Sequence, residues 1–221
     1  MTGGAWLEAL HFLRPQWLWG LLALPLLAWA WQRRHAARNP WRGTIDAHLL
    51  PHLLEDAPRA TTVLVPLSGG GLLAGVALAL RTLNPAIRII GVTMERGAAM
   101  RASLDAGRPV AVEELPTLAD SLGGGIGLIN RHTFGMVRDL VNEVVLVSEA
   151  DIAAAMRAAY FEEGEVLEGA AAVGIAALDT GRVTLTGPVV VLLSGKNIDM
   201  DLHRRIVSGE TPDLAAERDH G

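Results

Sequence analysis

From Thr61 onward, four short apolar runs at 62–66, 87–93, 144–147 and 189–193 alternate with stretches of helical pattern. No other feature of the sequence restricts the fold as tightly. Runs this short, bounded by turn residues, suit strands buried on both faces. Strands that alternate with helices dictate a parallel sheet, because each parallel neighbour is reached by a crossover long enough to hold a helix. Helices are predicted at 72–83, 96–106, 149–161 and 169–178. Ser148 is a good N-cap for the third of these, with Glu149 and Asp151 in the first turn, where the helix dipole favours carboxylates. The expectation is an α/β domain over 61–210, followed by a polar, disordered tail at 211–221.

The first 55 residues have a different composition. All six tryptophans fall early, at Trp6, Trp17, Trp19, Trp29, Trp31 and Trp41. From Trp17 to Trp31 every residue is apolar, Gly or Pro, and Arg33, Arg34 and Arg38 come next. A helix of that length covers roughly 22 Å, short of the ~30 Å hydrocarbon core, and flanking arginines can snorkel to close the gap. Tryptophans at both ends suit a membrane interface, and the arginine cluster directs the chain beyond it to the cytoplasm. A short hydrophobic membrane helix at about 17–31 is therefore expected; a signal-like segment or a buried helix would carry the same composition. His11-Phe-Leu-Arg-Pro-Gln-Trp17, Asn39-Pro-Trp-Arg42 and Asp46-Ala-His-Leu-Leu-Pro-His-Leu53 together resemble the N-terminal anchor of bacterial membrane proteins carrying a von Willebrand type A domain. The Asp-x-Ser-x-Ser metal motif of that domain occurs nowhere in the chain.

Composition removes several kinds of chemistry. There is no cysteine, which excludes disulfides, thiolate metal sites and cysteine nucleophiles. A net charge of -5 argues against nucleic acid as a partner. The sole lysine is Lys196.

Three elements carry candidate chemistry. Ser68-Gly69-Gly70-Gly71-Leu72 follows a strand and opens a helix, so its backbone N–H groups can approach an anion closely at a positive helix end. The same loop would also serve as a plain turn packing helix on strand. Ser194 and Gly195 end the last apolar run, where parallel sheets gather their ligands, although a simple turn fits there as well. Glu168 precedes a helix of very small residues, Gly169-Ala-Ala-Ala-Val-Gly174, either as a helix-start carboxylate or as a charge facing a ligand.

In this order the three elements resemble the threonine/serine dehydratases among the fold type II pyridoxal-phosphate enzymes. Supporting motifs are Val65-Pro-Leu-Ser-Gly-Gly-Gly-Leu-Leu-Ala-Gly75, Thr117-Leu-Ala-Asp-Ser-Leu122, Val147-Ser-Glu149 and Val191-Leu-Leu-Ser-Gly-Lys-Asn-Ile-Asp199. Gly91-Val-Thr-Met-Glu-Arg-Gly-Ala-Ala-Met100 and Ser121-Leu-Gly-Gly-Gly-Ile-Gly127 look most similar to the hydroxyectoine-utilisation dehydratases. The resemblance implies the parallel-sheet part of a tryptophan-synthase-β-like domain. It also implies pyridoxal 5′-phosphate as cofactor, its phosphate held by Ser68, Gly69, Gly70, Gly71 and Leu72, with Ser194 facing the ring nitrogen and Glu168 nearby. The implied reaction is β-elimination of water from a hydroxy amino acid such as serine or threonine, yielding a keto acid and ammonia.

The departures are as informative. Dehydratases carry their Schiff-base lysine in a Ser-Phe-Lys-like motif and a Ser-Gly-Asn-His loop for the substrate carboxylate, both upstream of the glycine loop; neither is present in this chain. The resemblance places Lys196 near the ring nitrogen, not at the aldehyde, so no catalytic lysine is assigned. Thr93 and Ala99 stand where some relatives have acidic ligands for a divalent cation, so no metal site is expected. The expectation is a fusion of an anchor with a dehydratase C-terminal half, inactive alone, at the inner membrane with its domain in the cytoplasm, or cytoplasmic if the anchor is not genuine. Its partners would be a second copy or a separate lysine-bearing half. A non-catalytic, membrane-tethered binder of phosphate ligands is the rival expectation.

Overall fold

The structure, a computed structural model, describes residues 60–214. The chain divides into Met1–Leu54 and Glu55–Gly221, and the described residues belong to the second unit. The helix expected at 17–31 and the last part of the expected tail, 215–221, lie outside the described residues.

The elements in order are β1 (Thr62–Pro66), α1 (Gly71–Leu83), β2 (Arg88–Met94), α2 (Ala99–Asp105), a 3-10 turn (Asp120–Leu122), α3 (Thr133–Leu140), β3 (Glu143–Val147), α4 (Glu149–Glu163), α5 (Gly169–Asp179), β4 (Val189–Val191) and α6 (Met200–Val207). All strand pairings are parallel, and the sheet order is β3-β2-β1-β4. The parallel α/β expectation holds. Two helices were not anticipated. α3 buries Phe134 and Val137 and packs Met136 and Leu140 against the same core, but it has only 8 residues and contains Gly135. α6 carries Asp201, Arg204 and Arg205 on its outer side and buries His203 and Ile206, one turn apart. Asp199 caps α6 by accepting the Leu202 N–H at 2.9 Å. α2 begins three residues later than the pattern suggested, because Gly97 turns the chain with φ 68° before the helix can start.

Alternation along the strands sends side chains to two separate cores. Leu64, Ile90, Val92, Val145 and Val147 pack with α4 and α5, whereas Val63, Val65 and Ile89 pack with α1, α2 and α3. This division follows from the strand order. β1, β2 and β3 step in one direction, and right-handed crossovers place their helices on one face. The return from β3 to β4 reverses direction and places α4 and α5 on the other. The reversal makes the β1–β4 boundary a topological switch point, where a crevice opens at the strands' C-terminal ends. At the end of the described chain, Asp213 forms an ion pair with Arg96 at 3.2 Å and Leu214 packs on the core beside α4 and α5.

Candidate functional site

The loop after β1 is shaped by one obligatory glycine. Gly70 caps α1 with φ 88°, a left-handed conformation that L side chains adopt only with strain. A Cβ there would also press on Met100 Cε at 2.8 Å and Val137 Cγ2 at 3.0 Å. The first intrahelical bond runs from the Ala74 N–H to the Gly70 carbonyl at 2.8 Å, so the N–H groups of the preceding turn have no acceptor within the helix. The loop is fastened from behind: the Thr133 hydroxyl donates to the Gly69 carbonyl at 2.6 Å, and Asn130 Nδ2 donates to Thr133 Oγ1 at 2.8 Å. In front, a Cβ on Gly69 or Gly71 would meet nothing within 4 Å. The glycines therefore leave a cradle that side chains would fill.

Ser68, Gly69, Gly70, Gly71, Leu72, Glu168 and Ser194, the residues singled out from the sequence, all line one cavity of about 270 Å³. The pairing of β1 with β4 brings the Ser194 loop, over 120 residues away in sequence, beside the glycine loop. Glu168 sits immediately before α5. A Cβ on Gly195 would collide with its carboxylate, so the side chain lies flat against the Gly195 backbone beside Ser194. Gly169 is equally constrained, since a Cβ would collide with the Leu118 carbonyl. The Ser194 hydroxyl is exposed.

The lining contains no lysine or arginine, and its one ionisable side chain is Glu168. Attraction for an anion must therefore come from the α1 N-terminus and its free amides. Lys196 points elsewhere: it is exposed and ion-paired with Glu165. Thr93 is buried with its hydroxyl on Met94 Sδ at 3.2 Å, and Ala99 starts α2. The supports Asn130 and Thr133 carry no signature in the sequence, and Ser121 and Leu122, within the motif at 117–122, also belong to the lining.

A doubly wound parallel domain with an anion cradle and a hydroxyl at its switch point defines a phosphate-cofactor site, and the comparisons agree. The family model for pyridoxal-phosphate dependent enzymes matches residues 34–195, starting upstream of the residue-61 boundary expected from sequence pattern. The chain belongs to that family. It is 59% identical over 158 residues to a Sinorhizobium fredii protein described as a candidate threonine dehydratase, covering 71% of this chain and 48% of that one. It is 44% identical over 160 residues to an L-threonine ammonia-lyase of Geobacter sulfurreducens, covering 72% of this chain and 38% of the relative. Among solved structures, a threonine deaminase from T.th. superposes with a TM-score of 0.61 at 33% identity, over 68% of this chain and 55% of that one. The chain thus spans about half the length, or less, of these relatives.

Proposed function

We propose that this chain is the cofactor-holding part of an amino-acid dehydratase, an ammonia-lyase acting on a hydroxy amino acid such as serine or threonine, and that it does not turn over alone. The observation that carries the reading is the single cavity joining the glycine cradle, Glu168 and Ser194. Its residues fit pyridoxal phosphate: the cradle accepts a phosphate on backbone N–H groups, and Ser194 can donate a hydrogen bond to a ring nitrogen without protonating it. Bound there, the cofactor supplies the electron sink that makes an α-proton acidic. The remaining function of the chain's own residues is to fix phosphate and ring in orientation and to form one wall of the crevice. Lys196, held by Glu165 outside the lining, cannot serve as the Schiff-base lysine.

Purified chain supplied with pyridoxal phosphate and L-threonine is expected to form no keto acid, whereas co-expression with a lysine-bearing dehydratase half is expected to give keto acid and a protein-bound visible band. Sustained turnover by the chain alone would overturn the proposal. The motifs at 91–100 and 121–127 favour a hydroxyectoine-utilisation dehydratase within the family. We also propose that residues 17–31 anchor the chain at the inner membrane with this domain in the cytoplasm. Retention in alkali-washed membranes supports that placement, and recovery in the soluble fraction contradicts it.

A further inference from the structure

Glu149 opens α4 and does not line the cavity, yet both of its carboxylate oxygens are committed to one distant segment. The Thr117 hydroxyl donates to Oε1 and the Leu118 N–H donates to Oε2, each at 2.6 Å. Thr117 is itself buried and accepts the Ala119 N–H at 3.1 Å. α4 does not need Glu149 to begin, because Ser148 and Asp151 already form a reciprocal capping box there.

The segment that Glu149 holds runs on into the cavity wall. Ser121 and Leu122 line it, the Ser121 hydroxyl donates to Glu168 Oε2 at 3.2 Å, and the Ser68 hydroxyl reaches the Gly123 carbonyl at 3.5 Å. The Leu118 carbonyl lies against Gly169, directly after Glu168. Residues 117–123 therefore touch the cavity at both its phosphate end and its ring end, and their anchor lies outside it.

We propose that Glu149 is a positioning residue for the cofactor site: it fixes residues 117–123 so that Ser121 holds the Glu168 carboxylate beside Ser194. The proposal rests on the reading of the cavity as a pyridoxal phosphate site. Removing the carboxylate leaves the Thr117 hydroxyl and the Leu118 N–H without acceptors, and the wall relaxes to find others. The glycine cradle, fastened separately by Thr133, keeps its shape.

Isothermal titration of the full chain with two ligands tests this. 4′-Deoxypyridoxine 5′-phosphate has the cofactor's ring and phosphate but no aldehyde, so its binding needs no lysine; inorganic phosphate probes the cradle alone. Glu149→Ala is expected to weaken the ring analogue by about tenfold and to leave inorganic phosphate unchanged. Glu149→Gln, whose Oε1 can still accept from Leu118 while its amide donates to Thr117, is expected to recover most of the affinity. Ser121→Ala, a small change at an exposed hydroxyl, is expected to lose at least about threefold on the analogue alone and decides the matter should Glu149→Ala fail to melt cooperatively. Unchanged analogue affinity in either alanine variant, or equal losses for both ligands, overturns the positioning role while leaving the cofactor reading intact. Wild-type chain that does not bind the analogue overturns both.

Discussion

At the scale of single residues, the three glycines of the cradle have separable functions. Gly70 is required by the backbone, whereas Gly71 has only open space in front of it. Gly70→Ala is expected to destabilise the domain by at least ~1–2 kcal/mol from the left-handed backbone alone, with the contacts to Met100 and Val137 adding to that. Gly71→Ala lies in the first turn of α1 and is expected to leave stability unchanged or raise it by up to about 1 kcal/mol, while binding of phosphate ligands falls. Denaturant melts paired with phosphate titration check both; equal stability losses would refute the distinction. The glycine loop was legible from its place between an apolar run and a helix, whereas Ser194 and Glu168 were open to plainer local readings and were assigned through the family resemblance. Thr133 and Asn130 were not legible, since Thr133 reaches Gly69 across more than 60 residues of sequence and Asn130 acts only through Thr133.

At the scale of elements, α4 shows how far local chemistry reaches. Its N-terminus was readable from Ser148, Glu149 and Asp151, and the capping box is present: the Ser148 N–H donates to Asp151 Oδ2 at 3.0 Å, and the Asp151 N–H donates to Ser148 Oγ at 3.2 Å. Burial pushes the Asp151 carboxyl up, but its bonds with Ser148 and the Arg182 guanidinium at 3.0 Å outweigh that and hold it below the usual carboxylate range. A carboxyl depressed in the folded state contributes stability that is complete above its unfolded value of about 3.9 and is lost as pH falls through the lower folded value. Asp151→Asn is expected to cost about 1 kcal/mol at neutral pH, a fall of roughly 2–4 °C in Tm, with the difference from wild type shrinking below about pH 4. Thermal melts across pH 3–7 check this, and a gap that widens in acid would contradict it. The strands were equally readable, as short apolar runs. α3 and α6 escaped because each has only 8 residues, about two turns, too short for their apolar stripes to stand out from the flanking loops.

At the scale of the molecule, alternation of strands and helices gave a parallel sheet but not its order. Nothing local in 189–193 says that β4 pairs with β1, and that pairing assembles the site by setting Thr62 opposite Val189 and Leu64 opposite Val191. The loops after these two strands, one an anion cradle and the other carrying a hydroxyl, then meet at the switch point with Glu168 between α4 and α5 closing the same space. On the reading proposed above, this crevice binds pyridoxal phosphate without the lysine that would attach it. The most direct test is a two-dimensional amide NMR titration of the isotopically labelled full chain with pyridoxal phosphate. Saturable shifts are expected at residues 68–73, 121–122, 168–170 and 194–195, with Gly71, Leu72 and Ser194 among the largest. Absence of shifts at those amides, or shifts centred on the N-terminal ends of the strands, would contradict that reading.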